Sequence, residues 1–563
     1  MKKFMTDIKT LAALLMAGAA FTACSSDDNI IEQPQNPTEP QVYTMVIKAS
    51  KGGDTTTRAL QPGYDDVSGK NTVDAYWSGD ETIEVYQSGE KIGEATAAPS
   101  ANGNTTVTAT LTSAPVPSND LNFYLGGKTP DYTGQVGLLT GTNSISENYD
   151  YATDLVYSGA YTVDEINKKI TPNEGSLPLT FGAAQQAIIK FTLKDKANDA
   201  AISPSALTVT DGTSTVSLTS IPAATYTANG DGVLYVAFPA AGSAKTVTLT
   251  ATAGGKTYSY EKTGVSFTNG QYYEIGVKMS PIISLSGRTY FDEELVIPDG
   301  YIVTGSATAY SCKVAVADGA TVTLRDVEND NWSLDPSSAC PGIRCIGDAT
   351  IILEGDNTVK GSGKYAGIYV PEGNTLTIRG TGSLTVTGGS NGAGIGGNSE
   401  GNCGSIVIRG GTVEATGGQY GAGIGLGFSS GSVGDIVISG GTITATGGSH
   451  GAGIGLGYSS GSVGDITISG GTVTATGCDE APGIGGVEGV YESITITGDF
   501  TKVTVNKGSG STYSIGIEDD YSWEDCGPIT IGGTVYLNDG YFENDGDSKL
   551  QTSPFVYPLD YQP

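Results

Sequence analysis

A single histidine, His450, stands in 563 residues, which leaves almost no material for a histidine-based triad or a zinc site. No two of the seven cysteines form a C-x-x-C pair, so metal-ligand spacing is missing too. Basic clusters are absent beyond the extreme N-terminus, and the formal charge is −31. A duplex binder needs a positive patch to displace counterions, so nucleic acid is excluded as a partner. Leu-rich helical stretches are scarce, whereas glycine reaches 83 residues and threonine and tyrosine are plentiful. That composition favours strands and turns. With only 16% charged residues, the anionic chain reads as a soluble surface protein. Beyond the N-terminal segment no long apolar run exists.

The N-terminus begins with the basic "MKKFMTDIKT", then the apolar "LAALLMAGAAFTA", then Cys24. An apolar stretch this short is an export signal and not an anchor helix. The residues "FTAC" resemble the lipobox of bacterial lipoproteins, in which the cysteine is lipidated and becomes the mature N-terminus. "SSDDN" resembles the acidic tag of surface-exposed outer-membrane lipoproteins. These resemblances imply a signal peptide at 1–23, lipidation of Cys24 and attachment to the outer membrane through lipid alone. An ordinary signal peptide with an incidental cysteine is the alternative. Removing residues 1–23 takes away three lysines and one aspartate from a charge of −31 and leaves −33. Residues 24–41, polar and Pro-containing, read as a disordered tether.

From Val42 onward short alternating strands appear, such as "VYTMVIKAS", "TTVTATLTS", "AIIKFTL" and "TVTLTATAGG", separated by Gly/Asn/Asp turns. They predict two antiparallel β-sandwiches, 42–180 and 181–281. Here "AYWSGDETIEVY" (75–86), "DLVYSGAY" (154–161), "LPLTFGAAQQAIIKFTL" (177–193) and "FTNGQYYEIGVKM" (267–279) resemble the fimbrillin-like proteins. Those are lipoprotein-exported subunits and accessory proteins of surface fimbriae. "TTTRAL" (55–60) is similar to the site where that family is cut after an arginine. The resemblance implies cleavage at Arg58–Ala59, loss of the first strand, and its replacement by a strand from another fimbrial subunit. The plain alternative is that Arg58 is an exposed residue on an edge strand.

From residue 312 the chain can be written as a stack. One apolar column reads Val314, Ile343, Ile368, Ile395, Ile424, Ile454, Ile484 and Ile515, in steps of 25 to 31 residues. Further columns run Leu324, Leu353, Ile378, Ile408, Ile438, Ile468, Ile496, Ile531 and Val359, Leu384, Val413, Ile443, Val473, Val503, Val535. Three short strands per turn predict an all-β right-handed parallel β-helix of about eight rungs over 282–545, with a cap or tail at 546–563. "GAGIGG" (392–397) also satisfies the G-x-G-x-x-G pattern of a dinucleotide loop. Such a loop occurs once and opens a helix. This one recurs with no helix after it, so the glycines serve the repeat, on its outward side or in its turns, and the phosphate reading is rejected.

The exterior offers several candidates. Arg325, Glu354, Arg379 and Arg409 form one expected column, with Arg379 and Arg409 as possible grips for acidic sugars or as a solvated ladder. Asp435 and Asp465 fall one rung apart, where like charges call for solvent or a cation; calcium is the one cofactor this suggests, and none is required. Tyr420, Phe428, His450 and Tyr458 recur at matching corners and loops, able to stack on sugar rings or to cover a rung edge. Cys403 and Cys526 align with Val433, Val463 and Tyr491 as core, and Cys345 aligns with Val370 and Leu426. Cys312 and Cys340 are close enough in the stack for a disulfide, which export would permit.

"ATIILEGDNTVKGSG" and "GGTVTATG" resemble right-handed β-helix proteins of bacterial surfaces, including polygalacturonate-binding modules and, more distantly, pectate lyases. A lyase implies clustered acids holding calcium beside a basic group, and a hydrolase implies paired acids. Outward positions are mostly Thr, Ser and Gly, so the expected function is a non-catalytic cell-surface adhesin, or minor or tip fimbrial component, binding a glycan or host ligand. A polysaccharide-active enzyme and a fixed glycan-capture lipoprotein are the alternatives.

Overall fold

A computed structural model describes residues 42–51, 59–65, 70–76, 79, 82–100, 104–125, 132–140, 144–145, 155–157, 160–173, 179–181, 186–239, 242–269, 271–288, 293–307, 313–330, 339–458, 460–498, 501–518, 523–538, 541–543 and 546–558. The chain is all-β, 54% strand and 4% helix. No helix among the described residues is long and apolar enough to cross a membrane.

The first unit is a nine-stranded sheet in which strand Tyr43–Lys51 holds an interior place. It pairs antiparallel with Asn104–Leu111 and, on its other side, parallel with Lys169–Pro172 and Leu179–Phe181. Tyr43, Met45 and Ile47 alternate into the core while Val42 and Val46 face out, as a period of two requires. In the second unit, Ala187–Asp195 pairs antiparallel with Val233–Phe238 and parallel with Tyr272–Ser284. Strands Ala206–Thr210, Thr215–Leu218, Lys245–Ala253 and Lys256–Val265 form a second antiparallel ladder. Both ladders enclose one core that includes Phe191, Leu249 and Met279.

The expected divisions near 180 and 281 cross real contacts. Gln135 donates to the Ala237 carbonyl and accepts from the Ala237 N–H, at 2.9 and 2.8 Å. At the second division, Tyr272–Ser284 is one continuous strand that belongs to both neighbours. Its Ser280 pairs with Ser259 of the second unit, while Ile282 already pairs in parallel with Ile302 of the stack. Across the same seam Arg325 Nη1 donates to Ser259 Oγ at 3.3 Å. The repeat is therefore joined edge to edge with the preceding sheet, with no linker between them.

The stack itself is a parallel β-solenoid of about six turns, each turn carrying strands on three faces around one continuous core. On the first face Ile343, Ile368, Ile395, Ile424, Ile454, Ile484 and Ile515 pair one above another. Six of these, from Ile368 to Ile515, are 0% exposed, and full burial of such a side chain contributes about 1.5–3 kcal/mol. The glycines beside them are buried, not outward. Gly425 has φ 135°, and a Cβ there would strike the carbonyl oxygen of Gly455 one rung on.

Two details differ from the sequence columns. Ile351, not Leu353, pairs with Ile378, and Val359 pairs with Val386, not Leu384. Both are slips of two residues, which keep every side chain on its own side of the wall. The eighth rung does not form as a copy of the others. Thr534–Asn538, which carries Val535, turns back antiparallel on Ile529–Ile531, and Phe555–Tyr557 lies antiparallel on Lys502–Asn506. These reversals cover the open edge at the C-terminal end, which would otherwise offer unpaired ladder groups.

Candidate functional site

First-face strands of the fourth and fifth regular turns are only two residues long, Ile424–Gly425 and Ile454–Gly455. The corner before each and the loop after it are therefore forced together. Tyr420 and His450 occupy successive corners; Phe428 and Tyr458 occupy successive loops. Backbone bonds hold the register: the Tyr458 N–H donates to the Tyr420 carbonyl at 2.9 Å, and the His450 N–H donates to Gln419 at 3.2 Å.

The four rings form one cluster. Tyr420 and His450 lie nearly parallel, 10° apart in plane, with centroids at 5.6 Å. Phe428 and Tyr458 are within 8° of parallel at 6.5 Å. Tilted contacts at 5.5 Å (Tyr420–Phe428) and 5.0 Å (His450–Tyr458) tie the two pairs together, all within the range of favourable ring pairing. Phe428 remains 42% exposed and Tyr458 37%. The His450 Nδ1 is buried and has no hydrogen-bond partner among the described residues. A buried unpaired nitrogen costs about 1–3 kcal/mol, a penalty that an apolar ring in the same place would avoid.

Beside Phe428 opens a groove of about 400 Å³, lined also by Ser399, Glu400, Ser429 and Ser430. Glu400 pairs with Lys364 at 3.3 Å. Neither residue stands out in the sequence, because they are 36 residues apart and lie in loops of unequal length. The cluster ends after two turns: the corner equivalent to His450 carries Glu480, and the sixth loop is two residues shorter, with Val490 opposite Ser462.

Elsewhere, Asp435, Asp465 and Glu492 place carboxylate oxygens within 4.8 Å of one another, all three exposed. Glu492 escaped the sequence alignment because of that shortened loop. The oxygens are partly engaged by the stack: Asp435 Oδ1 accepts from the Asp465 N–H at 3.0 Å, and Asp465 Oδ1 accepts from Ser493 Oγ at 2.6 Å. Asp435 and Glu492 rim a second groove, about 800 Å³, running across the turns over Gly404, Gly434 and Gly464. Its described lining holds no Lys, Arg or His.

The expected charge column is split. Arg325 binds Glu354 through Nε at 2.8 Å and Nη2 at 2.7 Å, while Arg379 stands opposite Ile352. Arg379 and Arg409 are neighbours in register, exposed at the corner between second and third faces, and are not part of the aromatic cluster. Ala59 starts a hairpin strand, Ala59–Asp65, paired with Lys70–Tyr76. Cys24, Arg58 and Cys312 lie outside the described residues, and with Cys312 the pairing to Cys340. Cys345, Cys403 and Cys526 are core residues. Burial pushes the Cys345 thiol up to about 12 and Cys526 to about 11, and raises Cys403 as well.

Three segments, residues 406–428, 436–458 and 466–489, match the family described as Beta helix repeat. No curated protein matches the chain. Among solved structures it is similar to a candidate cell adhesion protein from Bacteroides fragilis NCTC 9343, at 10% identity over 42% of this chain and 92% of that one. The TM-score is 0.23, too low to carry an inference about this chain.

Proposed function

We propose that this chain is an exported surface protein that displays its solenoid as a non-catalytic, glycan-binding module for adhesion. The observation that carries the reading is the ring cluster of Tyr420, Phe428, His450 and Tyr458, with Phe428 and Tyr458 part-exposed and Phe428 lining a groove that also carries Glu400 and Ser430. An aromatic platform flanked by hydroxyls and one carboxylate suits a pyranose, whose C–H face stacks while its hydroxyls donate and accept. Lipidation of Cys24 would tether the chain to the outer membrane. The two antiparallel units then act as sandwich-type modules of a stalk, sharing a strand with the solenoid they carry.

Fimbrial assembly fits the place of Tyr43–Lys51, since its removal by cleavage after Arg58 would leave a gap between Asn104–Leu111 and Lys169–Pro172. A strand of another subunit would restore the backbone pairs. The second reading, a polysaccharide-active enzyme, draws on the acidic groove around Asp435 and Glu492. Against it stands the lack of a basic group in the groove's described lining.

Binding of the mature protein to immobilised glycans, compared with a Phe428→Ala/Tyr458→Ala double variant, tests the proposal. Loss of the two rings should weaken binding about tenfold or more, since each ring contact contributes roughly 0.5–1.5 kcal/mol beyond its buried area. Equal binding by both proteins would overturn the site, and release of sugar fragments from a polymer would favour the enzyme reading.

A further inference from the structure

We infer that the ring cluster selects an uncharged sugar, held as a short terminal or branch unit, and rejects acidic glycans. This rests on the glycan-binding reading and names the ligand class for that same site. The charges around the rings are the first ground. Glu400 lines the groove beside Phe428, and Glu480 occupies the corner one turn beyond His450. The nearby cation, Lys364, is already paired with Glu400 at 3.3 Å. A carboxylated sugar seated on Phe428 therefore meets Glu400, and the described lining of this groove offers no Lys or Arg of its own. The hydroxyls of an uncharged pyranose can instead donate to Glu400 and to exposed Ser430.

The position of the exposed arginines is the second ground. Arg379 and Arg409, the residues suited to a uronate, stand at the corner between the second and third faces, whereas the rings flank the first face. A ligand on the rings cannot take its charge from them. The whole chain adds to the same sign: at −31 its field repels anions from any groove that lacks a local cation. Extent is the third ground. The rings cover two turns and stop, at Glu480 on one side and at Asn391 and Ser399 on the other. A platform of about two rungs, each roughly 4.8 Å deep, grips a short unit and gives no track for a long chain.

Calorimetry on the mature protein at low salt tests this, with uncharged oligosaccharides (gluco-, galacto-, manno- and N-acetylglucosamine series) and oligogalacturonate as probes. Four proteins are compared: wild type, Phe428→Ala, Arg379→Ala/Arg409→Ala and Glu400→Lys. The inference expects an uncharged probe to bind at least tenfold more tightly than the uronate. Phe428→Ala should lose that binding, the double arginine variant should keep it, and Glu400→Lys should raise uronate affinity. Phe428 is 42% exposed, so its truncation leaves the core intact, and Glu400→Lys gives an independent gain-of-affinity check. Tighter uronate binding that Phe428→Ala abolishes would overturn the selectivity and leave glycan binding at the rings standing. Uronate binding abolished only by the arginine variant would overturn the site, and no binding of any probe would overturn both readings.

Discussion

Replacing Gly425 with alanine should damage the solenoid far more than the loss of one glycine suggests. At φ 135° an L-residue is outside every comfortable well, which costs roughly 2–3 kcal/mol in strain. The added Cβ also meets the Gly455 carbonyl oxygen, a backbone atom fixed by both neighbouring rungs, so relief requires the rungs to part. Alanine's smaller unfolded-state entropy returns only about 0.5–1 kcal/mol. The net loss is on the order of 3 kcal/mol or more, comparable to deleting most of a buried isoleucine. Gly373→Ala, in the same solenoid, is the matched control: its φ is 75° and nothing lies within 4 Å of the new Cβ, so about 1 kcal/mol is expected. Urea unfolding followed by far-ultraviolet circular dichroism reads both, with the solenoid allowed its own transition because repeat stacks need not melt as one unit. Equal shifts for the two variants would refute the claim that rung-on-rung contact dictates these glycines.

Three further outcomes follow from the same geometry. Cys345 and Cys403 should resist iodoacetamide in the native protein at pH 8, because burial holds the Cys345 thiol near 12 and raises Cys403. The thiolate that reacts stays scarce until the pH approaches those values; labelling should be complete in denaturant, and half-exposed Cys478 should react before these two. Ile282→Pro should uncouple the solenoid from the second unit, since it removes a ladder donor where Thr257, Ile282 and Ile302 pair side by side, at about 3 kcal/mol or more. Limited proteolysis should then cut the variant at the seam and leave wild type whole. Finally, if Asp435, Asp465 and Glu492 hold calcium, Asp465→Asn should weaken a titratable calcium signal severalfold, while a wild type with no heat of binding would mark the cluster as ladder caps only.

The stacked isoleucines of the first face are legible in the sequence because each turn repeats the same register, and a repeat fixes its neighbour. The two-residue slips between the turns containing Leu353 and Ile378 are not, for a physical reason. A shift of two leaves inside and outside unchanged, so hydrophobic alternation fits both registers equally, and only the corner geometry chooses. The ring cluster is legible as four recurring positions, because Tyr420 and His450, and Phe428 and Tyr458, keep a spacing of 30 residues. Their mutual contact is not, because it depends on first-face strands only two residues long. Glu400 and Glu492 sit in loops whose lengths break the repeat, so no column leads to them. The strand shared by the second unit and the solenoid is hidden for a different reason: Pro281 in "YYEIGVKMSPIIS" (272–284) reads as a break, yet the strand runs on through it from one sheet to the next.

The chain's sole histidine lies inside the proposed binding surface. Histidine-selective ¹³C labelling therefore yields one imidazole signal that reports from the rings alone. Titrating the labelled mature protein with the uncharged oligosaccharide that binds in calorimetry should move or broaden that signal, saturably and at the same affinity. An unperturbed His450 resonance at saturating sugar would place the ligand elsewhere and contradict the assignment of this ring cluster as the binding site.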